Sequence, residues 1–352
     1  MNKRLNLLRA RVREFPTGPK NSITDIKGVR VGHLTISKDF QDELGEKIFI
    51  RTGLTAVVPC EMEKEKRLFA GFFALRGNNE ITGYEVKDDF CYLNSPLVLS
   101  NSYNVGKVYN AILSYGFSLG RSEVWPPVVL GVDDSWLSDM NMYSLTENQA
   151  VQLLHNSPDS QVEEGSVGIG LGLRAWGWKG GIGTSSRIFS LSGKKFSLGV
   201  LAASNHGNKP DSQRKSSVKK SDSFQAKGSL MLILAVDIPL VPFQIQHIAS
   251  SIVVSLPSIN TLNNCQDSVI CFLFSTANAM SLKNGGPLVF DYSLIADSTL
   301  ERIVRAGADA AREAILRSLL LADSVEGRLG REVKTIPDNE FKKILGLFGS
   351  LS

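Results

Sequence analysis

Apolar residues in this chain gather in short, β-branched runs. The clearest are "GLTAVVP" (Gly53–Pro59), "PLVLSN" (Pro96–Asn101), "PPVVLGV" (Pro126–Val132), "FSLGVLAASN" (Phe196–Asn205), "SLMLILAVD" (Ser229–Asp237) and "VICFLFSTAN" (Val269–Asn278), each bounded by Gly, Pro, Asn or a polar residue. Runs of this kind predict strands, and those apolar at successive positions predict strands covered on both faces. Three other stretches carry helical spacing instead. "NVGKVYNAILSYG" sets Val105, Val108, Ile112 and Leu113 at helical intervals. "SLTENQAVQLLH" and "STLERIVRAGADAAREAILRSLLLA" open with Ser144/Glu147 and Ser298/Glu301 in capping-box spacing. Helices and strands mixed in this way predict a layered α/β protein with a sheet core.

Composition narrows the picture by exclusion. With 352 residues, 43% of them hydrophobic and 21% charged, the chain can bury a large core, and we expect one domain over 1–352. The formal charge of +4 comes largely from the N-terminal "MNKRLNLLRARVR" and from Lys209, Arg214, Lys215, Lys219, Lys220 and Lys227, so no nucleic-acid partner is expected. Cys60, Cys91, Cys265 and Cys271 show no CxxC spacing, and His33, His155, His206 and His247 form no ligand cluster with them. No metal, cofactor or disulfide framework is implied. Apolar runs such as Leu230–Val236 fall far short of the roughly 20 residues that span a bilayer, so the expectation is a soluble, cytoplasmic protein with no membrane contact.

Two stretches break the pattern. His206–Lys227, "HGNKPDSQRKSSVKKSDSFQAK", is Ser/Lys-rich between two apolar runs and predicts an exposed linker loop over 206–227. Gly165–Arg187, "GSVGIGLGLRAWGWKGGIGTSSR", tempts a phosphate-loop reading but lacks GxxxxGK[ST] and a proper GxGxxG. Tight turns and close backbone approach around a site or seam are the expectation.

Three serines compete as nucleophile. "GFSLG" (Gly116–Gly120) matches the nucleophile-elbow letters, but Ser118 follows a helical stretch rather than a strand. Ser216 and Lys219 sit within the Ser/Lys-rich loop, where such a match is expected by chance. Ser229 differs because Gly228 precedes it. A serine hydroxyl can attack the carbonyl before it, and glycine tolerates the strained backbone that this requires. Cleavage would leave Ser229 as a new N-terminus whose amine, with a pKa near 8, can act as base for its own hydroxyl. Were "FSLGVLAASN" and "SLMLILAVD" antiparallel neighbours, Asn205 would lie beside Ser229 and could stabilise an oxyanion. From the residues alone, Gly228-Ser229 also reads as an ordinary loop ending before a buried strand.

Nine ordered segments, including "NSITDIKGVRVGH" (Asn21–His33), "SNSYNVG" (Ser100–Gly106), "KGGIGTSSR" (Lys179–Arg187), "LGVLAASNHG" (Leu198–Gly207) and "GSLMLILAVDIPLVP" (Gly228–Pro242), resemble the L-aminopeptidase D-Ala-esterase/amidase family, which includes the β-peptidyl aminopeptidases. The resemblance implies an αββα four-layer sandwich of the N-terminal-nucleophile-hydrolase type. It implies self-cleavage between Gly228 and Ser229 into an α-chain (1–228) and a β-chain (229–352), with Ser229 as nucleophile and Asn205 in the oxyanion hole. Small peptide, amide or ester substrates and a homo-oligomer follow from the same resemblance.

The chain also departs from the family pattern. The usual E-T-[YW]-D-G-x-L-N-D stretch reads "GVDDSWLSD" (Gly131–Asp139), with Gly131 in place of the acid that holds the substrate's ammonium and Asp133 in place of the aromatic. Asp267, Ser268 and Val269 fall where the family has Ser-Gly-Asp/Glu. Asp133 or Asp134, and Asp267 or Ser268, are the expected substitutes. These losses set a competing expectation: a non-catalytic relative that keeps fold and oligomer as a binding or structural protein.

Overall fold

Every residue of the run Ser229–Val236 is buried, and the destinations of its two faces define the architecture. The computed structural model describes residue 8 and residues 13–76, 80–84, 91–121, 126–143, 145–207, 228–256, 268–281 and 289–348. In chain order the strands are β1 (Arg30–Gln41), β2 (Lys47–Val58), β3 (Lys66–Leu75), β4 (Tyr92–Leu93), β5 (Leu97–Asn101), β6 (Val128–Val132), β7 (Arg174–Ala175), β8 (Trp178–Lys179), β9 (Ile182–Leu191), β10 (Lys194–Asn205), β11 (Ser229–Val236), β12 (Ser268–Ser275), β13 (Met280–Ser281), β14 (Val325–Gly327) and β15 (Arg331–Val333). The helices are α1 (Val105–Ser118), α2 (Glu147–Asn156), α3 (Pro242–Val254), α4 (Leu300–Leu320) and α5 (Asp338–Phe348).

One sheet runs β1-β2-β5-β6 and the other β13-β3-β12-β11-β10-β9, with β4 attached to β3. Strand side chains alternate between faces. Met231, Ile233 and Ala235 of β11, with Ile270, Phe272 and Phe274 of β12, share an apolar cluster with Leu54 and Ala56 of the first sheet. Leu230, Leu232, Leu234 and Val236 turn the other way, onto Ile245, Ile248 and Ile252 of α3 and Ile303 and Ala310 of α4. Helices α1 and α2 cover the first sheet through Val108, Ile112 and Leu154. The result is the αββα sandwich, in which each fully buried Leu or Ile contributes about 1.5–3 kcal/mol.

The apolar pattern missed the polar strands. β9 carries Thr184, Ser185, Ser186 and Arg187, all buried, so no apolar run marks it. Its partners are local to the fold: Thr184 Oγ1 donates to the Val200 carbonyl, Ser185 Oγ to the Ala310 carbonyl, and Arg187 pairs with Asp309 at 2.6 Å and Glu313 at 3.0 Å. Gly183 has no room for a Cβ, which would come within 2.0 Å of the Ala314 carbonyl oxygen, so close approach of α4 explains this glycine.

Helix starts also differ from the reading of spacing. α2 is capped by Thr146, which exchanges bonds with Gln149; Ser144 lies outside the described residues. α4 begins at Leu300 after a single 3₁₀ turn and has no side-chain cap, so the Ser298/Glu301 box does not form. His206, the first residue of the expected exposed linker 206–227, is buried, and residues 208–227 lie outside the described residues. Among the described residues, no helix is long and apolar enough to cross a membrane.

Candidate active site

Strands β10 and β11 pair antiparallel, and their register sets Asn205 directly opposite Ser229. Residues opposite one another in such a pair share a face, with Cβ atoms about 4.5–5.5 Å apart. That face is the one turned toward the first sheet, since Ala203 and Met231, the next pair on the same side, join the inter-sheet core. The Ser229 hydroxyl is buried there without a hydrogen-bond partner. Buried hydroxyls ordinarily find one, so an orphan of this kind calls for an explanation.

Asn205 is fixed from both ends of its carboxamide. Its Nδ2 donates to the Asp133 carbonyl at 2.7 Å, and its Oδ1 accepts the Arg174 N–H at 3.2 Å. One Nδ2 hydrogen is left over for a further acceptor. The β7–β8 hairpin that supplies Arg174 also clasps the next residue: Trp176 N–H donates to the His206 carbonyl at 2.9 Å, and its ring meets the His206 imidazole edge-on at 4.7 Å. Neither nitrogen of that imidazole has a partner, and burial pushes its pKa down to about 3.

In the second strand of that hairpin Lys179 is fully buried, a residue that the motif reading left without a role. Its Nζ donates to the carbonyls of Gly170, Leu173 and Gly180 at 2.7, 2.9 and 2.6 Å, using all three hydrogens. Burial pushes its pKa down to about 7. The Leu173 contact anchors the chain immediately before Arg174, the residue that orients Asn205. "KGGIGTSSR" is therefore scaffold beside the site.

The expected substitutes separate in space. Asp133 offers Asn205 its backbone carbonyl, while its carboxylate turns back to accept the Ser135 N–H at 2.9 Å. Asp134 is fully buried, and neither carboxyl oxygen meets a donor in good hydrogen-bond geometry. Burial pushes it up to about 7, against the pull of the Thr52 hydroxyl and the Asn101 amide. Ser268 opens β12 in register with Ser229 and faces the same inter-sheet layer as Ile270, so it needs no backbone shift to reach that face. Asp267 lies outside the described residues.

At Gly131 the missing side chain has a neighbour that sequence spacing could not reveal. Gly131 N–H donates to the Glu80 carbonyl at 2.7 Å, and a Cβ built on Gly131 would lie 3.1 Å from the Glu80 Cβ. The Glu80 side chain is exposed.

The rejected serines stay apart from this cluster. Ser118 ends α1 on the surface, donating to the Tyr115 carbonyl at 2.7 Å with His155 Nε2 at 3.1 Å, as a helix-terminal serine does. Ser216 and Lys219 lie outside the described residues. An open cleft of about 520 Å³ between β1 and α2 has no lining residue in the Ser229 cluster.

Known proteins share this framework along nearly the whole chain. A β-peptidyl aminopeptidase of Sphingosinicella microcystinivorans is 28% identical over 95% of this chain and 90% of its own. The solved β-aminopeptidase of a Burkholderia species matches with a TM-score of 0.84 at 26% identity, covering 99% of both chains. The L-aminopeptidase D-Ala-esterase/amidase of Ochrobactrum anthropi, described as a serine aminopeptidase with a variant of the Ntn hydrolase fold, matches at 0.82 and 28% identity over 97% of each. The model of peptidase family S58 covers residues 21–333, and the chain belongs to that family.

Proposed function

We propose that this chain is a self-processing N-terminal-serine hydrolase acting on peptide, amide or ester bonds of small substrates, with altered recognition of the substrate amine. The observation that carries the reading is the orphaned, buried Ser229 hydroxyl, preceded by Gly228 and set opposite Asn205. Ser229 is 1% exposed, consistent with an intact chain that is an inactive precursor. Cleavage yields 1–228 and 229–352. The freed amine of Ser229 then takes the hydroxyl proton as the oxygen attacks the substrate carbonyl, and the spare Asn205 Nδ2 hydrogen meets the developing charge. The reading includes a homo-oligomer, as the family resemblance implies, and the cytoplasmic location expected from the apolar pattern.

Amine recognition moves off β6. The Asp133 carboxylate turns back toward the Ser135 N–H, which it accepts through Oδ1, and Asp134, raised to about 7, is a poor counter-ion near neutral pH. Glu80, packed against Gly131, is the carboxylate we assign to the ammonium.

Intact mass of the purified protein tests processing: two fragments whose masses match cleavage after Gly228 are expected, and a single chain after long incubation would sink it. Matched free-amine and N-acetyl substrates test the rest. A non-catalytic relative would cut neither.

A further inference from the structure

The sheet order that sets Asn205 beside Ser229 also settles where the Gly228 carbonyl points. β11 lies between β10 and β12. The Gly228 oxygen accepts the Ser268 N–H at 3.0 Å, beside the parallel Ser229–Ser268 pair that opens the β11/β12 ladder. It therefore faces β12, in the plane of the sheet. Asn205 stands on the opposite flank, on β10, and projects from the face toward Asp133.

From this geometry we infer that the two acyl transfers use different oxyanion donors: the backbone N–H of Ser268 serves self-cleavage, and the Asn205 carboxamide serves turnover. The inference rests on the self-processing reading above and goes further by assigning each step its own donor.

In self-cleavage, Ser229 Oγ bonds to the Gly228 carbonyl carbon, and the carbonyl oxygen takes the negative charge. The hydroxyl proton passes to the Ser229 nitrogen as the C–N bond breaks. An ester of Gly228 on Ser229 Oγ and a free amine result. Water adds to that ester, and Ser229 Oγ leaves with a proton, giving a Gly228 carboxylate, one released proton and a free hydroxyl.

The Ser268 N–H already lies 3.0 Å from the carbonyl oxygen on which the charge develops, so little reorganisation is needed to meet it. Hydrogen bonds to a charged acceptor are roughly twice as strong as neutral ones, so this rung strengthens as the tetrahedral intermediate forms. The substrate carbonyl arrives differently. It is carried on Ser229 Oγ, which shares its face with Asn205, and so develops its charge on the β10 side. Because the Ser268 donor belongs to the main chain, side-chain identity at Ser268 and Val269 leaves it intact. Processing thereby becomes tolerant of the very departures that bear on turnover.

The test uses the full chain in three forms: wild type, Asn205→Ala, and a semisynthetic chain in which the α-hydroxy acid analogue of serine at position 268 replaces the N–H with an ester oxygen. Fragment formation is followed by intact mass, fold by the thermal transition, and turnover on a small amide after processing. The wild type should split, and the ester chain should split roughly 10²-fold more slowly, the scale of one lost oxyanion donor. Asn205→Ala should split within about threefold of wild type while losing roughly 10²-fold in turnover. An ester chain that splits within about threefold of wild type overturns the assignment and leaves self-processing standing. So does an Asn205→Ala chain that folds but stays whole. If the ester chain lacks a thermal transition, the Asn205→Ala arm decides alone. A wild type that never splits overturns self-processing and this inference together.

Discussion

Two buried polar clusters flank β10, and they are built to opposite rules. On the β9 side, Arg187 is fully buried yet reaches Asp309 and Glu313, while Arg13 and Asn21 add further bonds to Glu313. Burial alone would raise Glu313, but Arg13, Arg187 and Asn21 together hold it below the usual carboxylate range. Around Ser229 and Asn205, by contrast, the Ser229 hydroxyl and both His206 nitrogens have no partner. A saturated buried network rigidifies a fold, whereas an unsatisfied polar atom costs about 1–3 kcal/mol and persists where it serves something else. Between these two clusters, saturation differs more sharply than residue type does.

The largest expected effect tests the orphan side. Ser229→Ala should abolish fragment formation and turnover while leaving the thermal transition at or slightly above that of wild type, since it removes a hydroxyl that bonds to nothing. A markedly lowered transition would show that the hydroxyl is structural. Arg187→Met tests the saturated side and should show the reverse. Removing the cation shared by Asp309 and Glu313 should cost about 3–5 kcal/mol in denaturant unfolding, with fragments still formed by whatever remains folded. Equal stability of variant and wild type would break the comparison.

Smaller effects sharpen it. Glu80→Gln should raise KM for free-amine substrates about tenfold, the loss of one charge-assisted contact, and leave N-acetyl substrates unchanged. Equal changes for both would remove Glu80 from amine recognition. Asp134→Asn is read through pH. The Asp134 carboxyl sits at about 7 in the fold, above its ordinary 3.8, so the stability it contributes is present below pH 4 and lost as pH rises to about 7. The variant lacks this loss, and its thermal transition relative to wild type should be higher at pH 8 than at pH 4. A constant difference would mean that Asp134 finds a partner in solution.

Much of the fold could be read from local pattern. The runs at Ser229–Val236 and Phe196–Asn205 became β11 and most of β10, and their two-sided apolarity foretold layers on both faces. β1 and β9 were not legible because their polar residues are exposed along an edge or satisfied by distant partners, as Ser185 is by Ala310. In the site, Ser229 and Asn205 stood out through chemistry. His206 and Lys179 did not, since a lone histidine or lysine shows its burial only when other strands and turns close over it. Asp133 shows a related limit of sequence: its residue type announces a carboxylate, but the group that touches Asn205 is its carbonyl.

The sequence by itself determined the Gly228-Ser229 pair, the strand it opens and, through the two-residue period, which side chains share a face with the serine. Only the tertiary structure decided that β12 rather than another strand lies parallel beside β11, that Ser268 N–H meets the Gly228 oxygen, and that Glu80 lies beside Gly131. Side-chain parity is a local property of an extended backbone. Strand order is a non-local pairing chosen by the burial of whole faces, so the donors around Ser229 are decided by folding rather than by spacing.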